Sequence, residues 1–215
     1  MSMTSASPCG VISAWPKLGL TNLPVSGASG GVQLAPLGGV AASPISSNLT
    51  NVRAVQVVDG QLYGTSNSGT FTNVFTVGSG LPISPAPATS LPGLPAASAS
   101  PFAFVFIGTS TLYIADDRST ATGGGIQKWT FDAAASRWTL LTTFTSGLGG
   151  IGVRGLTAYL SGASVILIAT TADGGNPSGQ HILTLTDAGS ENATVVNIVN
   201  GSTSMAYRGV ALPPF

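Results

Sequence analysis

The residues best equipped for chemistry are few, and they fall into two sets. Asp116-Asp117-Arg118 puts two carboxylates and a guanidinium in consecutive positions just before Gly123-Gly124-Gly125. Carboxylate and backbone oxygens are what a hard cation such as Ca²⁺ takes as ligands, and a carboxylate beside an arginine equally forms an ion pair. Neighbouring residues on a strand point to opposite faces, so both carboxylates converge only where the strand has already ended. A local ion pair and turn is the plain reading; a ligand site at Asp116, Asp117 and Arg118 is the sharper one. The second set is Arg53, Arg154 and Arg208. Each follows a β-branched residue or tyrosine and precedes a small residue and then an apolar one. In a repeat protein such arginines gather near one mouth, either bridging carboxylates and carbonyls of the next repeat or forming an anion-binding ring. Phe102 holds the corresponding place in the central repeat, which leaves that ring incomplete. These six residues are the candidate ligand-binding positions; no catalytic residue, metal-ligand set or cofactor motif is assigned.

Several motifs fail on context. Gly27-Ala28-Ser29-Gly30-Gly31 matches G-x-S-x-G, but a nucleophile elbow runs from a strand into a helix, and here a strand follows. His181 is the only histidine available as a base and reads as a surface or satisfied core residue. Gly147-Leu148-Gly149-Gly150-Ile151-Gly152 matches G-x-G-x-x-G, yet a dinucleotide fingerprint must open a helix, and Val153–Leu160 alternates as a strand. That segment reads as a turn between repeats. Cys9, the single cysteine, allows no intrachain disulfide and no cysteine-based zinc site. Trp129 and Trp138 are expected to pack between repeats, with sugar stacking the minor alternative.

Composition removes whole classes of partner. Seven Lys and Arg against seven Asp and Glu give a formal charge of zero, and charged residues make up only 7% of the 215. No basic face exists to neutralise phosphates, so nucleic acid is not an expected partner. The longest apolar neighbourhood, Leu156–Ala172, is broken by Ser161-Gly162-Ala163-Ser164 and is shorter than the ~20 residues of a spanning helix. No membrane span is expected, and Met1–Leu20 makes no convincing signal peptide. Asn48, Asn192 and Asn200 each open an acceptor sequon that matters only on a eukaryotic secretory route.

The elements that must position the candidate residues are strands. Gly 29 and Pro 14 are high counts, and apolar residues alternate with polar ones without helical period. Thr111–Leu140 is the most complete stretch. Pro101–Gly108, Leu112–Ala115, Gly125–Phe131 and Arg137–Phe144 make a four-strand set, followed by Val153–Leu160, Val165–Thr171, Gln180–Thr186 and Ala193–Val199. An earlier set comprises Asn51–Val58, Gln61–Thr65, Gly69–Val77 and a short strand near Thr89–Leu91, with Asp59-Gly60 as a hairpin turn. Gly30–Leu37 (GGVQLAPL) resembles Gly124–Phe131 (GGIQKWTF), and Pro44–Leu49 would follow it as a strand. Ala115 to Ala169 and Arg154 to Arg208 are each 54 residues, and Leu62 to Leu112 is 50. Self-similarity at about 50 residues with four short strands per unit predicts an all-β, β-propeller-like array of antiparallel blades. About three blades are full and one is composite or incomplete; Ala206–Leu212 could complete it. An ordinary sandwich is the alternative fold. Residues 1–29 form a poorly patterned segment and 30–215 the repeat domain.

The ordered run GQLYGTSNSGTF, VGSGLP, LPGLP, LYIADDR, GGIQKWTFD, RWTL, VRGLT, ATTADGG, LTLTDAG and YRGVALPP resembles an uncharacterised family of bacterial extracellular repeat proteins. The resemblance covers about Gly30 to Phe215 and implies an extracellular location. It carries over no activity, cofactor or catalytic residue. The expected function is a non-enzymatic recognition or surface-scaffold module for a small-molecule, glycan or protein ligand, with self-association through exposed blade faces. The alternatives are a hydrolase or other enzyme with its site at the propeller mouth, and a remnant without independent activity.

Overall fold

The structure, a computed structural model, describes residues 22–27, 29–172, 180–189, 193–201, 207 and 209–212. These form antiparallel sheets, each a meander in which consecutive strands pair. The first sheet has three strands, β1 (Asn22–Gly27), β2 (Gly31–Pro36) and β3 (Ser43–Ser46). The second comprises β4 (Val52–Val58), β5 (Gln61–Ser66), β6 (Asn73–Val77) and β7 (Ala88–Ser90). The third comprises β8 (Pro101–Ile107), β9 (Thr111–Asp116), β10 (Gly125–Asp132) and β11 (Arg137–Phe144). The fourth comprises β12 (Val153–Ser161), β13 (Ser164–Thr171), β14 (His181–Asp187) and β15 (Thr194–Asn200). The expected all-β, propeller-like repeat is therefore present, with three four-stranded blades and one of three strands among the described residues.

The turns follow from local chemistry. Asp59 and Gly60 both adopt positive φ (47° and 76°), the pairing a tight two-residue hairpin needs, and Val58 faces Gln61 across it. Gln33 and Gln127 do the same job in the two segments that resemble one another. Each donates its side-chain amide to the carbonyl of the glycine turn before its strand, Gly30 and Gly123 respectively. A Cβ on Gly31 would overlap the Ser46 carbonyl, and one on Gly125 would lie 2.7 Å from the Phe144 carbonyl. Gly31–Pro36 therefore matches Gly125–Asp132 in backbone environment as well as in sequence.

Asn22–Gly27 is a strand that the sequence reading did not assign. It lies in the segment set apart as poorly patterned, with Pro24 opposite Leu34. Proline costs a ladder hydrogen bond only where its missing N–H would have pointed at a partner. Gly69–Phe71, read as the start of a strand, is a short 3-10 turn, so β6 begins at Asn73. Val11–Trp15 lies outside the described residues. So do Ala206 and Arg208, while Gly209–Leu212 form no strand.

The chain divides into two compact units, Met1–Leu91 and Pro92–Phe215. In the first, Val32, Ile45 and Leu49 meet Val55, Leu62, Phe75 and Val77 in one apolar core. In the second, the core lies between the third and fourth blades. Tyr113, Ala115, Ile126 and Phe144 come from one side, and Leu156, Leu167, Ala169, Leu183 and Leu185 from the other. Full burial of each large aliphatic side chain contributes about 1.5–3 kcal/mol, so this interface fixes how the third and fourth blades face one another.

A 54-residue step equates Ala115 with Ala169, but these two enter the shared core from opposite blades. Strand pairing shows the true equivalence. Val52, Pro101 and Val153 open the first strands opposite Ser66, Asp116 and Thr171, and each is followed by a register shift. Asp116 therefore corresponds to Thr171, a step of 55, and Asp117 to Ala172 and Asn67. Because side chains alternate with period two, a one-residue slip exchanges core and outer faces. Loop length absorbs the extra residue at little cost.

Candidate functional site

The register shifts explain the arginines. Arg53 and Arg154 are the extra residues of the bulges at the starts of β4 and β12, and Phe102 holds the same place in β8. A bulge re-aims the side chain it carries and commonly does so beside a functional site. Arg154 uses that aim in two ways. Its Nε donates to Asp117 Oδ2 at 3.2 Å, and its guanidinium carbon lies 5.4 Å from the centre of the Phe102 ring. A third-blade carboxylate and a third-blade ring thus hold a fourth-blade cation. Arg53 belongs to the first compact unit, and Asp117, Arg154 and Phe102 belong to the second. Arg208 lies outside the described residues.

Asp116 and Asp117 diverge. β9 ends at Asp116, whose side chain is 1% exposed. Its Oδ1 accepts from Arg118 N at 3.1 Å and Arg118 Nε at 2.9 Å, and its Oδ2 from Arg118 Nη2 and Ser100 N, both at 3.0 Å. Arg118 also donates to the Ser98 and Gly123 carbonyls. A bidentate fork on a buried carboxylate is the strongest form of such a pair. Asp116 and Arg118 therefore close a turn, which is the plain reading of this triplet.

Asp117 points the other way. Its Oδ1 accepts from Ser100 Oγ at 2.5 Å and its Oδ2 from Arg154, and its side chain stays 12% exposed against 20% for Arg154. Asn51 and Asn67 make the corresponding side-chain bond in the second blade. Gly152 and Ala172 stand there in the fourth and are joined only through backbone. The repeat thus has a polar link at this position, and Asp117 alone of its described counterparts makes it a carboxylate.

The glycine-rich turn holds this arrangement in place. A Cβ on Gly152 would lie 2.5 Å from Asp117 C and 2.6 Å from Asp116 O, so backbone packs on backbone there. Gly150 accepts from Thr120 N. The G-x-G-x-x-G segment is a connection between blades, seated directly on the charged turn.

A second charged cluster escaped the sequence reading. Lys128 Nζ lies 2.6 Å from Asp187 Oδ2, and Tyr113 Oη donates to the same oxygen at 2.6 Å. Gly189 N donates to Oδ1 at 2.8 Å, and Asp187 is 1% exposed. Burial would raise the Asp187 carboxyl, but the bonds from Lys128, Tyr113 and the Gly189 N–H outweigh it and hold the group below its ordinary value. Burial first, and the Asp187 bond second, push the Tyr113 hydroxyl well above the ordinary tyrosine range. The signal lay in Lys128, opposite Tyr113 on the neighbouring strand, but nothing in the chain's order tied it to Asp187. With every member engaged and enclosed, this cluster fastens the third blade to the fourth.

The other positions are structural. Trp138 meets Phe106 and Phe131 at ring-centre distances of 5.7 and 5.3 Å, and Trp129 donates to Gln127 Oε1 at 3.1 Å. His181 Nδ1 meets Asn200 Oδ1 at 2.8 Å on the outer strands of the fourth blade. In the first unit, Ile45, Asn48, Pro85 and Pro87 help line a groove of about 350 Å³ without a charged group. Among the described residues no three His, Cys, Asp or Glu side chains are placed to share a metal, and no helix is long and apolar enough to cross a membrane.

The blades and the site at their strand ends define a β-propeller-like protein. Neither a protein-family model nor a curated protein matches the chain, so the resemblance to extracellular repeat proteins gains no support from them. Solved structures do match. A thermostable family-43 glycoside hydrolase aligns at 11% identity and TM-score 0.50, covering 89% of this chain and 73% of its own. An exo-beta-1,3-galactanase from Phanerochaete chrysosporium aligns at 14% and 0.49, covering 81% and 43%. The Bacteroides ovatus xyloglucan-locus protein GH43B aligns at 15% and 0.45, covering 86% and 39%. The chain thus spans about two fifths of the latter two. At these identities the likeness is one of fold.

Proposed function

We propose that the chain is a carbohydrate-active β-propeller module that contacts a glycan through the Asp117–Arg154 face and hydrolyses a glycosidic bond there. The observation that carries this reading is Asp117, a partly exposed carboxylate where the repeat elsewhere has Asn67 or Ala172, held against a cation from the next blade. A solved structure of similar fold is named as a family-43 glycoside hydrolase, which favours the enzyme alternative over a bare scaffold. An extracellular or surface location, implied by the motif resemblance, suits such a ligand.

Glycosidases use two carboxylates roughly 5–9.5 Å apart across the scissile bond. Asp116 is taken up by Arg118 and the Ser100 N–H, and that observation favours a second reading in which the same face binds a glycan without cleaving it. One experiment separates the two. The purified chain is incubated with xyloglucan and β-1,3-galactan oligosaccharides, with reducing-end release and binding heat both measured. Release that falls at least about a hundredfold in Asp117→Ala, as general acid–base roles require, supports hydrolysis. Binding without release supports recognition, and neither binding nor release overturns the proposal.

A further inference from the structure

Each blade of a propeller-like repeat ends in a strand with one open edge. Unpaired N–H and C=O groups there recruit further strands, so such edges are kept short or covered. The first three sheets follow this rule. β3 has four residues, carries Pro44, and its Ile45 carbonyl accepts from Ala86 N at 2.8 Å. β7 has three residues and is flanked by Pro87 and Pro92. β11 is longer, but it begins on Arg137 and its Trp138 N–H donates to the Pro92 carbonyl at 2.8 Å. Gly93 packs so closely there that a Cβ would overlap the Trp138 carbonyl.

β15 is neither short nor covered. Its seven residues, TVVNIVN, include no proline and no charge, and β-branched types fill five of the seven places. Among the described residues it pairs with β14 only. Val196 and Ile198 are each 55% exposed and Val199 39%. A bulge at Ile198 twists this edge without closing it. Asn197 Nδ2 donates to Asn200 Oδ1 at 2.8 Å, and His181 Nδ1 lies 2.8 Å from the same oxygen. These bonds hold the bulge in one shape before any partner arrives, which lowers the cost of ordering it. A partner for this edge must bring strand backbone and apolar side chains. A second β15 brings both. Run antiparallel about a two-fold near Asn197, it places Val196 of each copy beside Ile198 of the other. No like charges meet, and the chain as a whole has a formal charge of zero.

We infer that β15 is a contact between two copies of this chain, joined edge to edge and antiparallel, so that two four-stranded blades become one continuous sheet. A two-fold contact of this kind uses both edges at once and does not propagate. Seven residues of strand span roughly 23 Å. An edge pair of that length stays below the ~1,000 Å² of a stable interface, so the dimer is a reversible one. The inference does not depend on the glycan reading.

The test is the mass of the full chain in solution, followed by light scattering and sedimentation from about 5 to about 500 µM. The wild type is expected to pass from monomer to dimer with half-association on the order of 100 µM, as a contact of this size allows. Amide exchange at Val195–Val199 should slow as concentration rises. Val196→Lys with Ile198→Lys, and Val196→Glu with Ile198→Glu, each set like charges across the two-fold and should weaken association at least about tenfold. Both positions are exposed, so neither substitution removes a core contact. Mixed in equal amounts, the two charged variants should associate again, and about 0.5 M salt should separate them. A wild type that stays monomeric at the highest concentration overturns the inference. So does a dimer that survives both pairs of substitutions, or a pair of charged variants that fails to recombine, because the contact then lies elsewhere. Exchange that slows with concentration in another strand and not in β15 overturns it without any variant.

Discussion

Replacing Lys128 by methionine would leave the Asp187 carboxylate buried without its cation. The side chain of Asp187 is 1% exposed and that of Lys128 13%, so solvent does little to screen the pair. Breaking a buried pair from one side costs about 3–5 kcal/mol, because the remaining charge stays desolvated. Tyr113 Oη and Gly189 N still donate to Asp187, which places the loss near the lower figure. For a chain of this length each kcal/mol moves the thermal midpoint by roughly 2–4 °C, so a fall of about 6–12 °C is expected. Lys128→Met with Asp187→Asn removes both charges and keeps an acceptor for the Tyr113 hydroxyl. That double variant should recover most of the loss, to within about 1 kcal/mol of wild type. Urea unfolding followed by tryptophan fluorescence suits the measurement, since Trp129 and Trp138 lie in the unit that holds the cluster. A single variant costing less than about 0.5 kcal/mol, the scale of a surface pair, would refute the reasoning. So would a double variant as unstable as the sum of its parts.

The same cluster sets a pH window. The folded Asp187 carboxyl is lowered from 3.8, so its contribution is complete above that value and lost as pH falls below it. Tyr113 is raised from 10.0, so its contribution is complete below that value and lost as pH climbs past it. Unfolding free energy measured from pH 2 to 11 should therefore fall on both flanks, and Asp187→Asn should flatten the acid one; an unchanged acid limb would count against the assignment. Gly152→Ala should destabilise by more than about 3 kcal/mol, since its Cβ would meet the backbone of Asp116 and Asp117 with no side chain able to yield. Gly149→Ala, at φ 61° with open space around it, should cost only about 1 kcal/mol by the same urea measurement, the price of the left-handed backbone.

Alternation and turn chemistry made the architecture legible. Strands β8 to β15 lie within about a residue of their expected bounds, because each is an alternating run closed by Gly, Asp or Asn turns. The resemblance of Gly30–Leu37 to Gly124–Phe131 held in backbone environment because the same glycine and glutamine solve the same local problem. Asn22–Gly27 was missed for the converse reason. Its NLPVSG contains a proline and too short an alternation to separate it from a loop, and only the β2 ladder makes it a strand. The spacing of 54 was off by one at β13, where identical residue types fell in step on opposite faces.

The sequence by itself determined a charge-poor, all-β repeat protein, and it singled out Asp116-Asp117-Arg118 and Arg154 as its unusual polar positions. Periodicity is a property of neighbours along the chain, so it can be read there. Tertiary structure alone decided that Asp116 closes a turn while Asp117 reaches Arg154, 37 residues on. It likewise brought Asp187 to Tyr113, 74 residues away. Those pairings depend on how two blades stack and on bulges that turn single side chains aside. A blade's sequence records the face it offers, but the partner across that face is set only when the blades meet.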